Sequence, residues 1–419
     1  MNAMTLNSLA AAGAIDVTPA NRDRILAGQP LFFRLAANMA SRLRYGGLIF
    51  LLPDGRKLKF SGQLETDQVG IIDVRDFRFA RRSVLGGGVG FFETYADGYW
   101  DSPDLTNVLY VFARNADHVH DALTAVPLVK FFMRLRHQGN RNTRDGSKRN
   151  IMAHYDLGND FYEKWLDGTM TYSSARFPAP GADLADAQRN KYLTLARSIG
   201  LSPGDKVLEI GSGWGGFAEF AAKEFGASVT GLTISPAQLD YARERIFRQG
   251  LSGRVEFRLQ DYRDATGAFD KIASIEMFEA VGREYWPTYF GKVRELLKPG
   301  GAAGLQIITI ADRFFDAYSR GSDFIQQYVF PGGMLPSPSI LKAEVERAGL
   351  SWRGAAEFGQ DYAQTLAEWR RRFLASWSDI IPMGFDDRFK KLWQFYLSYC
   401  EAGFRARTTD VMPVSLVRA

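Results

Sequence analysis

A chain of 419 residues is long enough for two or three domains with a sizeable core. With 46% hydrophobic residues, 24% charged residues and one cysteine, it is neither disordered, fibrous nor a disulfide-stapled secreted domain. A net charge of +5 favours an anionic partner, and charge alone suits nucleic acid and anionic membrane equally.

The opening "MNAMTLNSLAAAGAIDV" lacks the basic start and long apolar core of a secretory signal. No uncharged apolar run approaches the roughly 18 residues that span a bilayer. With Cys400 alone and no disulfide framework, a cytoplasmic location is expected. "NRDRILAGQPLFFRLAANMASRL" reads as helical, and "GLIFLLPDGRKLKFSG" as a hairpin turning at Asp54-Gly55. "RFARRSVLGGGVGFFETYADGYWDSPDL" is rich in glycine and aromatics and opens into a helix at Ser102-Pro103-Asp104. Next comes a polar, basic stretch with Arg134, Arg136, Arg141, Arg144, Lys148 and Arg149, the best linker candidate. Its charges suit either a solvated linker or contact with an anionic lipid surface.

From Asp205 strands and helices alternate. "KVLEIG", "SVTGLTIS", "VEFRLQD", "FDKIASIE" and "AAGLQIITI" read as strands, with helices between most of them. Such β-α repetition predicts an α/β fold, a doubly wound Rossmann-like sheet. The chain then runs into aromatic helices, where Phe389, Leu392, Trp393, Tyr396 and Cys400 recur at helical spacing, as core packing requires.

"VLEIGSGWGG" puts Glu209, Gly211, Gly213 and Gly215 at the carboxyl end of the first of these strands, before a helix. In open α/β sheets that edge binds ligands. The loop resembles the E/D-x-G-x-G-x-G motif of class I S-adenosylmethionine-dependent methyltransferases. "GLTIS" and "LQDYRD" continue the likeness. It implies that Thr233 and Gln238 meet the ribose and methionine part, and Asp261 and Tyr262 the adenine. A nicotinamide site would more usually show an acid after the second strand, where Thr233 stands. "SIEMFEAVG" replaces the N/D-P-P-Y motif of enzymes that methylate nucleic-acid amino groups, so no nucleic-acid partner is expected.

Together with "MTYSSARF", "GSGWGGFAEFAA", "LTISPAQ", "YFGKVRELLKPGG", "DFIQQYVFPGGMLPS" and "FGQDYAQTLAEW", these motifs resemble the cyclopropane-fatty-acyl-phospholipid synthase family over nearly the whole chain. The resemblance implies methyl transfer from S-adenosylmethionine to a double bond of an unsaturated phospholipid acyl chain. It also implies a dry acyl tunnel, aromatic faces near a carbocation and a bound bicarbonate as base. Tyr172 and Ser173 join the cofactor site on the same ground. Glu279 and Tyr362 are implied as bicarbonate ligands, with Ser174, Gln306 and Glu276 around them.

Those last three depart from the commoner pattern, which has cysteine, histidine and glycine. Serine and glutamine can still donate to an oxyanion. If the base is lost or misplaced, a methyl-branched unsaturated chain replaces the ring. A non-catalytic lipid- and cofactor-binding homologue is the third alternative. The expected organisation is an α+β domain over 1–130 with membrane, lipid and dimer contacts, a basic linker over 131–150 and a catalytic domain with helical lipid-pocket insertions over 151–419. The resemblance further implies a homodimer, peripheral on the inner face of the membrane.

Overall fold

The computed structural model describes residues 12–117, 157–354 and 356–419. The six basic positions of the expected linker lie outside the described residues. The chain divides into two compact units. One is Met1–Arg141, Arg320–Gln327 and Phe385–Thr408; the other is Asn142–Ser319, Tyr328–Gly384 and Thr409–Ala419.

In the first unit β1 (Ile15–Asp16), β2 (Tyr45–Leu51), β3 (Lys57–Ser61), β4 (Leu64–Val74) and β5 (Trp100–Asp101) form a sheet in the order β1-β3-β2-β4-β5. The expected hairpin is β2–β3, antiparallel, with Gly55 supplying the positive φ of +84° at the turn. The glycine-aromatic stretch becomes α1 (Arg78–Ala96), kinked at Gly87, whose φ of 59° and ψ of −145° leave helical geometry. Asp104 caps α2 (Leu105–Arg114) by accepting the Asn107 N–H at 3.0 Å. Helix Asp387–Arg405, read from sequence as part of the catalytic domain, groups with this unit and packs on α1 and α2. Its Phe395 ring lies 5.2 Å from Phe92 and 5.8 Å from Tyr95. Within its stripe Trp393 and Tyr396 are buried, and Phe389, Leu392 and Cys400 half-buried.

The second unit is built on a seven-stranded sheet, order β11-β12-β10-β9-β6-β7-β8. Strands β6 (Lys206–Ile210), β7 (Ser228–Thr233), β8 (Val255–Leu259), β9 (Phe269–Ile275) and β10 (Leu297–Ile310) run parallel. Helices α3 (Leu184–Ser198), α4 (Gly216–Phe225) and α5 (Pro236–Arg248) bury Leu195, Phe217 and Leu239 in one core with Val229 and Phe257. Helix α6 (Trp286–Leu296) buries Phe290 and Val293 in a second core with Leu305 and Ile307. The two cores flank the sheet, which is the doubly wound arrangement expected. Helix α7 (Gly359–Ala375) follows β11 (Leu350–Trp352).

The sequence reading ended in helices, but Thr409–Arg418 forms a further strand, β12, antiparallel to both β10 and β11. Its Met412, Val414 and Leu416 alternate inward. Pro413 argues against a central strand, yet β11 pairs only with Leu416–Arg418, so Pro413 has an edge position on that side. Among the described residues no helix is long and apolar enough to cross a membrane.

Candidate active site

Reversal of strand order beside β6 opens a cleft at the carboxyl ends of β6, β7 and β8. Its lining includes Glu209, Gly211, Gly213, Thr233, Gln238, Asp261 and Tyr262, and from outside the sheet Tyr172 and Ser173. The glycine loop turns tightly, with Gly211 and Ser212 N–H both donating to the Leu232 carbonyl, at 3.0 and 2.8 Å. Its three glycines have different jobs. A Cβ on Gly211 would strike Met277 at 2.7 Å, and one on Gly215 would strike Phe257 at 2.9 Å. Gly215 is absent from the cleft wall; it is the left-handed N-cap of α4, so its expected cofactor contact becomes a helix–strand packing role. Only at Gly213, with φ +51°, would a Cβ meet nothing, because it would stand in the cleft.

Thr233 ends β7 and donates to Gln238 at 3.0 Å, holding the start of α5. Asp261 accepts from Arg263 through both backbone and guanidinium at 2.9 Å. Glu209 is 3% exposed and its Oε2 has no protein partner. Burial pushes its carboxyl well above the usual range. An orphaned acid in a cleft beside exposed backbone fits a ligand with a cationic amino group. S-adenosylmethionine is such a ligand, and the cradle at Gly213 leaves space for it.

Glu276 follows β9 with φ +48°, a left-handed conformation that costs a non-glycine residue roughly 1–2 kcal/mol. Its position matches the glycine of the resembling family, so the backbone shape is kept and a carboxylate added. The strain is held by three hydrogen bonds. Oε1 accepts from the Ser174 N–H at 2.8 Å and from Gln306 Nε2 at 2.7 Å, while Oε2 accepts from the Tyr362 hydroxyl at 2.8 Å. Burial raises the Glu276 carboxyl above its ordinary range, opposed by the Lys191 charge and these donors.

The structure therefore joins Ser174, Gln306 and Tyr362, as expected, but around a protein carboxylate. In this structure the donors expected to hold bicarbonate are engaged by Glu276. Ser174 contributes its backbone; its hydroxyl donates to the Ala175 carbonyl at 2.9 Å, away from the site. Glu279 accepts the Ile308 N–H on Oε1 and leaves Oε2 unpartnered. Burial, then the neighbouring Glu276 charge, raise its carboxyl to about 8. Both acids are raised by burial, and the Glu276 charge acts on Glu279, so ionising the two together is disfavoured. Rings of Tyr172, Trp369 and Tyr362 form a wall nearby, with Tyr172–Trp369 centroids 5.3 Å apart and Tyr362–Trp369 6.0 Å apart.

The raised Glu279 carboxyl has a consequence for stability. The fold prefers this group protonated, whereas in the unfolded chain it ionises above about 4.5. Stability should thus be full below that value and decline as pH rises towards 8, by at most about 1.4 kcal/mol per pH unit. Glu279→Gln removes this decline, so thermal melts at pH 5 and pH 8 should show the variant gaining on the parent at the higher pH. Parallel melting curves would refute the assignment.

Sequence reasoning missed Gln188 and Lys191, both buried on α3. Gln188 Nε2 donates to the Ser173 carbonyl at 2.9 Å, and Lys191 Nζ to the Ser173 hydroxyl at 2.7 Å. A signal existed: with Leu184 and Leu195 they complete an i, i+4, i+7, i+11 stripe, so two polar residues occupy its core-facing positions.

Residues 142–414 match the family described as mycolic acid cyclopropane synthetase. The chain is 40% identical over 352 residues to the tuberculostearic acid methyltransferase UfaA1 of Mycobacterium tuberculosis, covering 81% of each chain. It is 36% identical over 355 residues to the cyclopropane-fatty-acyl-phospholipid synthase of Escherichia coli K12, covering 83% of this chain and 87% of that one. The crystal structure of mycolic acid cyclopropane synthase CmaA1, complexed with SAH and CTAB, superposes with a TM-score of 0.61 at 28% identity. It covers 64% of this chain and 97% of that one. The chain belongs to the mycolic acid cyclopropane synthetase family and is an S-adenosylmethionine-dependent methyltransferase that modifies lipid acyl chains.

Proposed function

We propose that the enzyme methylates the double bond of unsaturated phospholipid acyl chains and closes a cyclopropane ring, with Glu276 as the base. The observation that carries this reading is the carboxylate held by three donors beside the cleft. When bound, S-adenosylmethionine supplies an electrophilic methyl on a sulfonium. The alkene π pair forms the new C–C bond as the C–S bond breaks, leaving a cation on the neighbouring carbon. Glu276 takes a proton from the new methyl, and the freed C–H electrons close the ring. The rings of Tyr172, which lines the cleft, and of Tyr362 are our candidates for stabilising the cation. Donors from Ser174, Gln306 and Tyr362 fix the direction of the carboxylate before reaction, so little reorganisation is needed.

A second reading is favoured by the 40% identity to a tuberculostearic acid methyltransferase. If Glu276 faces a chain carbon instead of the new methyl, loss of that proton leaves a methyl-branched unsaturated chain. The ring and the methyl-branched alkene have equal mass, so proton NMR must separate them. Incubation with vesicles of unsaturated anionic phospholipid is expected to give ring protons at unusually high field; a new branch-methyl signal without ring protons selects the second reading. The segment over 131–150 and the first unit are our proposed contacts with an anionic inner membrane face, as a homodimer. Turnover on these vesicles should accordingly fall as salt screens the surface. No label transferred from methyl-labelled cofactor to phospholipid would sink the proposal.

A further inference from the structure

Lys191 is only 2% exposed, although a lysine ammonium is costly to bury. Its Nζ lies 4.9 Å from the centroid of the Tyr192 ring and donates one hydrogen bond, to Ser173 Oγ. Glu276, Asp167 and Glu209 act on its charge, but it forms an ion pair with none of them. One turn earlier Gln188 holds the Ser173 carbonyl. Helix α3 therefore grips Ser173 by both backbone and side chain.

The donor inventory gives this grip a direction. While Lys191 is charged, its ammonium has three N–H donors and no acceptor, so Ser173 Oγ accepts from it. The hydroxyl proton then has to point elsewhere, and no protein acceptor takes it. Ser173 lines the cleft and precedes Ser174, which is bonded to Glu276 at the tip of β9. It thus lies on the β9 side, away from Asp261 and Tyr262 that follow β8. A cofactor whose adenine sits beyond β8 and whose methyl reaches Glu276 brings its amino-acid end to this side. Glu209, with its orphaned oxygen, stands ready there for the amino group.

We propose that Lys191 is a positioning residue: it makes the Ser173 hydroxyl a one-way donor, and the pair recognises the carboxylate of the cofactor's methionine end. This rests on reading Tyr172 and Ser173 as part of the cofactor site. Burial pulls the Lys191 ammonium down to about 7, and an anion brought close to it would restore its charge. Lys191 does not line the cleft itself, so its effect passes through Ser173.

The test compares two ligands by calorimetry: S-adenosylhomocysteine, which has the carboxylate, and 5′-methylthioadenosine, which lacks the whole amino-acid end. Lys191→Met keeps the volume and removes the buried charge, a change that cores tolerate. It is expected to weaken S-adenosylhomocysteine about tenfold or more, the scale of a charge-assisted hydrogen bond, and to leave methylthioadenosine within about twofold. Ser173→Ala should reproduce that selectivity, and the double variant should add little to either. Parallel loss of both ligands in Lys191→Met would show a merely structural lysine, and no loss of either would show an idle one. Should that variant fail to fold, Ser173→Ala carries the same comparison, and parallel changes there overturn the proposal. Equal wild-type affinities for the two ligands would instead overturn the placement of the methionine end on which the proposal rests.

Discussion

Replacing Glu276 by Gln is expected to lower product formation by about a hundred- to ten-thousandfold, the usual contribution of a positioned general base. S-adenosylhomocysteine affinity should stay within about threefold, because the glycine loop is untouched. The amide keeps the size of the side chain but cannot take a proton, and its NH₂ faces donors where the carboxylate accepted. Glu276→Gly is the more informative partner. It relieves the positive φ and frees the Ser174 N–H, Gln306 amide and Tyr362 hydroxyl together. Activity lost in that variant should return with added bicarbonate or acetate, whereas Glu276→Gln should stay unresponsive because its side chain still fills the space. Full activity in Glu276→Gln, measured as label transferred to lipid, would remove Glu276 from the chemistry.

Gly213→Val is expected to weaken cofactor binding by at least about a hundredfold, roughly 3 kcal/mol. Gly213 is the right position because the protein itself leaves its missing Cβ free. Gly211 and Gly215 would fail as probes, since side chains there collide with Met277 and Phe257 and disturb the fold first. Valine at φ +51° adds backbone strain of roughly 1–2 kcal/mol, which a unit of this size can carry. Circular dichroism should therefore be unchanged while calorimetry shows the loss. Unchanged affinity would mean that the cofactor does not pass over this loop.

The cofactor half of the site was readable in the sequence because it is local. Glu209 to Gly215 fold as one strand and turn, Thr233 and Gln238 as the next, and each carries its own signal within a few residues. The acid half was readable only as a set of names. Glu276 takes its partners from 102, 30 and 86 residues away, so nothing near it says which group its carboxylate meets. Spacing could not distinguish Glu276 as an anion's neighbour from Glu276 in the anion's place. Lys191 was passed over because lysine on a helix is nearly always solvated; only the apolar stripe it interrupts marked it. The parallel strands showed as apolar runs, while β12 was hidden by Pro413 and by the helix before it.

The placement of β12 also bears on how the molecule is made. Strand β10 receives β9 on one side early in synthesis, but its other neighbour is delivered only after the long helix Asp387–Arg405, which belongs to the first unit. Until then Ala302–Ile310 presents an open row of backbone donors and acceptors on an apolar strand, the kind of edge that recruits other chains. The ribosome thus completes the helix of one unit before it releases the strand that closes the other. The growing chain is exposed to aggregation for as long as that order holds.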